Sequence, residues 1–218
     1  MRHRIVAHRG AWQKELLVPN SQEALLAALD AGFSIETDLR DLNGVVVVSH
    51  DPTTNDSVLT LRQFLAQISG VALSRDLVLA LNIKSDGLTS IMKDELRTLK
   101  GIPHFFFDMS TPELVKYTKS GLSVGLRRSE FETLAPQLSI CSEPSAVWVD
   151  GFDSDWWKTG ELLDLGSGKR VVVLVSPELH GRDPAQVWKK FADEFQTNPN
   201  LYICTDYPWD VLEMIEIG

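Results

Sequence analysis

Cysteine is nearly absent from this chain: Cys141 and Cys204 stand far apart and outside any CxxC pattern. That excludes a disulfide framework and a thiolate zinc site, and fits two buried thiols in a reducing compartment, with the cytoplasm as the default location. Positive charge is also short, with 21 Lys and Arg against 30 Asp and Glu, a formal net charge of −9 and a pI near 5.0. A general nucleic-acid binder needs a basic field over much of one face. That class is excluded, and any anionic small-molecule substrate must be attracted by a few local cations. No apolar run approaches the ~20 residues that span a bilayer. The run Ile5-Val6-Ala7, after the basic opening Met-Arg-His-Arg, is cut off by His8 and Arg9, unlike a signal peptide. Stable membrane insertion is not expected. No low-complexity linker or charge block divides residues 1–218, which read as a single domain, and nothing in them sets an oligomeric state.

What is present is a rhythm. Eight short β-branched or aromatic runs occur at 4–7, 33–39, 77–83, 104–107, 122–126, 146–149, 171–175 and 201–204. Between and after them lie segments of helical period at 21–31, 61–68, 88–99, 112–119, 156–165, 184–195 and 209–215. Asn20 or Ser21, Thr111-Pro112 and Asp183-Pro184 read as helix starts. Val45 to Val48, reached through Asp41-Leu42-Asn43-Gly44, predicts a hairpin-like extension of the second strand. Eight βα units of about 27 residues each match a single (β/α)8 TIM-type barrel of roughly 200–250 residues. A doubly wound open sheet is the alternative, and it leaves the last two strands without a role.

Barrels gather their chemistry at the C-terminal ends of the strands. Here those ends read Ala7-His8-Arg9-Gly10, Ile35-Glu36-Thr37-Asp38, Ser49-His50-Asp51, Leu81-Asn82-Ile83-Lys84, Phe107-Asp108, Val149-Asp150 and Cys204-Thr205-Asp206. Glu36 and Asp38, two apart on a strand, face the same way. They offer hard oxygen ligands suited to Mg²⁺ or Ca²⁺, and bound metal removes their mutual repulsion. His8 and His50 are candidates for general acid and base, since histidine alone titrates near neutrality without perturbation. Arg9 and Lys84 are the local cations that an anionic substrate requires. Each residue also has a plainer reading. A lone histidine at a strand end is commonly structural, a Glu-x-Asp is commonly a solvated edge, and Arg9 and Lys84 could simply pair with the acids. Their convergence on one rim favours metal-assisted phosphodiester cleavage.

The stretch Ile5-Val6-Ala7-His8-Arg9-Gly10-Ala11, the helix opened by Asn20-Ser21 and ending at Ala31-Gly32, then Ile35-Glu36-Thr37-Asp38 and Val48-Ser49-His50-Asp51, resembles the glycerophosphodiester phosphodiesterase family. The closing Thr205-Asp206-Tyr207-Pro208 is similar to that family's last strand. The resemblance implies a TIM-type barrel, a divalent cation, a place in lipid metabolism, and hydrolysis of a phosphodiester to a phosphomonoester and an alcohol. It implies His8 and His50 as the acid/base pair, Arg9 and Lys84 as phosphate contacts, and Glu36 and Asp38 as metal ligands. In the family mechanism a hydroxyl next to the ester attacks phosphorus, and water opens the resulting cyclic phosphate.

The departures carry information too. The family's third metal ligand is a glutamate two residues before the lysine. Here that place is Asn82, which can coordinate through its amide oxygen but lowers the ligand charge, with Asp86 or Asp51 as candidates to compensate. Val18-Pro19-Asn20-Ser21 lacks the family's glutamate. The short Pro52 to Leu59 link replaces the insertion that encloses glycerol, which implies a more open mouth and a larger substrate. In Ser176-Pro177-Glu178-Leu179-His180-Gly181-Arg182, after the seventh strand, His180 and Arg182 are candidates to hold a second anionic group, or else decorate a surface turn. Trp12, Trp156 and Trp157 either line the mouth or pack as core. Two further readings stay open: a phospholipase-like enzyme on a bulkier lipid or sugar phosphodiester, without an amphipathic membrane-binding segment in its support, and a non-catalytic barrel that binds a phosphorylated ligand.

Overall fold

Short runs of valine, isoleucine and phenylalanine bounded by turn residues form strands, and each is followed by a segment whose apolar face packs back on the sheet. A computed structural model of the chain describes residues 1–14, 16–69, 76–96, 101–166, 168 and 170–217. Nine strands result: β1 (Ile5–His8), β2 (Ser34–Leu42), β3 (Val45–Val48), β4 (Leu79–Ile83), β5 (His104–Phe107), β6 (Gly125–Arg128), β7 (Ala146–Val149), β8 (Val171–Val175) and β9 (Leu201–Thr205). Helices α1 (Gln22–Asp30), α2 (Leu61–Ser69), α3 (Thr89–Glu95), α4 (Thr111–Lys119), α5 (Leu134–Leu138), α6 (Thr159–Leu165), α7 (Ala185–Phe195) and α8 (Pro208–Ile217) alternate with them. The order across the sheet is β5-β4-β2-β1-β9-β8-β7-β6, all parallel, with β3 antiparallel to β2. The ring closes between β5 and β6, where Phe106 N–H donates to Ser123 O at 2.9 Å beside a bridge between Phe106 and Val124. Eight parallel strands therefore make a nearly closed (β/α)8 barrel.

The lumen is a packed core of Val6, Val78, Ala80, Phe105, Phe107, Ala146, Trp148, Val173, Val175, Tyr202 and Cys204. Phe107 and Trp148 stack across it with centroids 4.1 Å apart. Gly125 is required beside them, because a Cβ there would lie 2.7 Å from the Phe105 ring. The second and larger core lies between the outer faces of the strands and the helices. Counting two residues up each strand from the lumen positions gives what faces the mouth. Val6 leads to His8, Ser34 to Glu36 and Asp38, Ala80 to Asn82, Gly125 to Arg127, Trp148 to Asp150, and Cys204 to Asp206.

All eight expected strands form; β5, β7 and β8 keep their expected bounds and the other five shift at their ends. β6 runs from Gly125 into Arg127 and Arg128 rather than over Leu122 to Leu126, because Asp108 and Asp150 compensate the Arg127 charge. α6 starts at Thr159 instead of Trp156, with the Glu161 carboxylate accepting the Lys158 N–H at 2.9 Å. α3 ends at Glu95, and residues 97–99 of the expected helix lie outside the described residues. α5, a five-residue helix carrying Pro136, was not expected from the pattern. Ser21 caps α1 by accepting the Ala24 N–H, while the cap of α4 is Ser110 instead of Thr111.

Candidate active site

Three residues on the loops that follow β1 and β5 hold left-handed backbone angles that non-glycine residues rarely adopt: Arg9 (φ +57°), Asn20 (φ +63°) and Asp108 (φ +67°). Such outliers persist where surrounding structure over-determines them. Here the first two contact Asp38, and the third contacts Lys84. Gly10, φ +89°, follows Arg9, and a Cβ on it would sit 2.5 Å from the Ala24 carbonyl, so the chain turns onto α1 only with glycine at this point.

Glu36, Asp38 and Asn82 are all buried, and the parallel register sets Asp38 beside Asn82. Asp38 Oδ2 accepts from Asn20 Nδ2 at 2.8 Å and lies 3.1 Å from Arg9 Nε, and Asp38 Oδ1 lies 3.5 Å from Lys84 Nζ. Asn20 is itself fixed by the Thr37 hydroxyl, which donates to its Oδ1 at 2.8 Å. Among the described residues the Glu36 carboxylate accepts only a long bond from the Arg9 N–H, at 3.3 Å. Burial, then the neighbouring Asp38 charge, push its carboxyl up to about 7 against the opposing pull of His8, Lys84 and Arg9.

His8 donates through Nδ1–H to Asp206 Oδ1 at 2.7 Å and sets Nε2 3.9 Å from Glu36 Oε2. Burial alone would lower its pKa. The Asp206 hydrogen bond and the Glu36 and Asp206 charges prevail and raise it. His50, paired through Nδ1 with Asp51 at 2.9 Å, has its backbone carbonyl held by Arg40 at 2.8 Å. His50 and Arg9 line one open cleft of ≈ 770 Å³. Its walls also include Val18, Asn20, Val48, Leu59 and Gln63.

On the opposite side of the mouth runs a chain of ion pairs. Lys84 Nζ lies 3.6 Å from Asp108 Oδ2, Arg127 pairs with Asp108 and, at 3.1 Å, with Asp150, and His180 Nε2 meets Asp150 Oδ1 at 3.1 Å. Arg182 spends its guanidinium on Gly151 O, at 2.8 Å, and on Asp155, so it holds the β7–α6 loop. Trp12 donates to His8 O at 3.1 Å, Trp156 donates to Asp150 O at 2.6 Å, and Trp157 is core. Asp51 is taken by His50 and Asp86 accepts from Ser110. Sequence reasoning gave no role to Asp206, Asp108, Asp150, Arg127 or Asn20. The first three were visible as acids directly after strands, whereas Asn20 read only as a cap.

Among the described residues no three His, Cys, Asp or Glu side chains are grouped to hold a metal. With Asn82 included, the donors fit a hard divalent cation: Asp38 Oδ1 and Asn82 Oδ1 are buried acceptors without a hydrogen-bond donor, beside a buried Glu36.

Three solved structures share this architecture. A glycerophosphodiester phosphodiesterase from Parabacteroides distasonis superposes with a TM-score of 0.71 at 15% identity, over 98% of this chain and 96% of that one. One from Agrobacterium tumefaciens gives 0.67 at 18% identity, over 98% and 99%. The fold matches that of glycerophosphodiester phosphodiesterases. An Oleispira antarctica phosphodiesterase, solved with the product sn-glycerol-3-phosphate, gives 0.68 at 14% identity over 97% and 96%. No protein-family model and no curated protein matches the chain.

Proposed function

We propose that this chain is a divalent-metal-dependent phosphodiesterase that cleaves a glycerophosphodiester-like substrate into a phosphomonoester and an alcohol. One observation carries the reading: His8, held at Nδ1 by Asp206, directs Nε2 toward the buried Glu36, while Arg9 and Lys84 flank the adjacent Asp38. The likeness in fold to the Oleispira enzyme, whose product is a phosphomonoester, supports it. A divalent ion held by Glu36, Asp38 and Asn82 would acidify a bound hydroxyl and offset charge on the phosphoryl oxygens. Asp206 fixes the His8 tautomer, so Nε2 is the atom that moves a proton. Arg9 and Lys84 attract the phosphoryl group in an otherwise acidic molecule and share its developing charge. His50, at the edge of the cleft beside Arg9, serves the opposite oxygen. A substrate hydroxyl next to the ester, at high effective concentration once the diester is seated, gives its proton to one imidazole and attacks phosphorus. The P–O bond to the alcohol breaks, the alcohol takes a proton from the other imidazole, and water then opens the cyclic phosphate to the phosphomonoester. The ≈ 770 Å³ cleft supports a substituent bulkier than glycerol on the other side of phosphorus.

The test is hydrolysis of a chromogenic phosphodiester bearing a hydroxyl next to the scissile ester, with Mg²⁺, with Ca²⁺ and with chelator. Turnover is expected with one or both cations and is abolished by chelator, and His8→Ala lowers kcat by about a hundredfold or more. Absence of turnover with either cation leaves a barrel that binds phosphorylated ligands. Asn82→Glu restores a third negative ligand and tightens cation binding by about tenfold or more, read by calorimetric titration.

A further inference from the structure

Among the described residues seven large hydrophobic side chains are exposed, and five project from the rim that carries the site. Leu16 and Val18 stand on the β1–α1 loop, Val45 at the tip of the β2–β3 hairpin, Phe131 on the β6–α5 loop and Tyr207 on the β9–α8 loop. The other two are Met1, at the start of the chain, and Leu163, on α6. Single exposed apolar residues are ordinary. Leu16 is not: it is 92% exposed and holds a φ of +53°, a conformation costly for leucine, so the loop is set with its most apolar tip outward. Across the mouth Phe131, 69% exposed, rests against Phe152 with centroids 6.0 Å apart, and Phe152 in turn covers the Arg127 guanidinium. Apolar tips on two opposite arcs of one face mark a surface that contacts another phase.

No described helix is long and apolar enough to cross a membrane, so contact at this face is peripheral. The net charge of −9 opposes approach to an anionic surface. On a zwitterionic surface the insertion of apolar tips into the headgroup boundary is the driving term. We propose that the rim docks on a zwitterionic phospholipid surface and thereby holds the barrel mouth where lysophospholipids, which keep a free glycerol hydroxyl beside their phosphodiester, are concentrated. Docking is separable from hydrolysis, because Leu16 and Phe131 are exposed side chains outside the set assigned to chemistry.

The experiment is co-sedimentation of the intact protein with phosphatidylcholine vesicles in chelator, where no turnover occurs. The wild type is expected to bind, and the double variant Leu16→Ser/Phe131→Ser to bind at least about tenfold more weakly, from the loss of two inserted side chains. The variant retains its thermal unfolding midpoint and its turnover of the small chromogenic diester. Absence of wild-type binding, equal binding by the variant, or binding confined to phosphatidylglycerol vesicles each overturns the proposal. Failure of the hydrolytic reading appears only in the chromogenic assay, so the two ideas fall independently.

Discussion

Glu36 sits in the environment least suited to its charge: buried, two residues from Asp38, and satisfied by one long hydrogen bond. Its folded-state pKa of about 7 exceeds the ordinary 4.5, so the folded state holds this proton more tightly than the unfolded chain does. Stability in chelator therefore falls as pH rises from about 4.5 through about 7. Glu36→Gln removes the penalty: its melting temperature in chelator should match the wild type near pH 4.5 and exceed it by several degrees at pH 8. With Mg²⁺ or Ca²⁺ added, the wild type gains stability that the variant does not. Gly10 is a steric necessity of a different kind. Gly10→Ala combines a left-handed φ with a backbone clash at 2.5 Å, and should cost at least about 1–3 kcal/mol in denaturant titration. The glycine of the His8-Arg9-Gly10 sequence thus serves chain geometry, while its neighbours are the ones proposed to serve chemistry.

Elements of the fold are held to one another by single carboxylates. Glu113 of α4 accepts from Thr89 of α3 at 3.1 Å and pairs with Lys116 at 2.5 Å. Burial would raise its pKa, but the Lys116 and Thr89 hydrogen bonds prevail and lower it. Its contribution is present above the unfolded pKa and is lost as pH falls through the folded one. Glu113→Gln should cost about 1 kcal/mol at pH 7 and converge with the wild type near pH 3, as followed by thermal melts. After β8, Glu178 accepts from the Thr205 hydroxyl at 2.5 Å and the Asp206 N–H at 3.2 Å, and its other oxygen binds Ser176, which accepts from Trp188 of α7 at 2.7 Å. Glu178 therefore positions the backbone that carries Asp206, and through it His8. Glu178→Ala should lower kcat by about tenfold to a hundredfold with KM unchanged, while Glu178→Gln keeps most activity. At this scale the sequence was highly legible, because strand identity follows from β-branched and aromatic runs bounded by turn residues. The misplaced β6 shows the limit. Two arginines discourage a strand assignment until Asp108 and Asp150, distant in sequence, are seen to neutralise one of them. The short α5 is hidden by Pro136, and the adjacent hydroxyls of Ser110 and Thr111 are not told apart as caps by the local pattern.

For the molecule as a whole, the rim positions of the site were readable and their partners were not. His8, Glu36, Asp38 and Lys84 follow from residue type at strand ends. The pairing of His8 with Asp206 joins the first strand to the last, and depends on ring closure that no local pattern encodes. That closure is uneven. The seam between β5 and β6 rests on a short contact at Phe106, reinforced at the mouth by the Asp108–Arg127 ion pair. Arg127→Met should speed hydrogen exchange at the Phe106 amide while leaving protection in β1 and β2 unchanged. His8, Glu36 and Asp38 lie on β1 and β2 and Asp206 directly follows β9, across the ring from this seam. The architecture is that of a clasp: the buckle at Phe106 is the weaker join, while the jaw that bears the acids and the imidazole is paired along its strands.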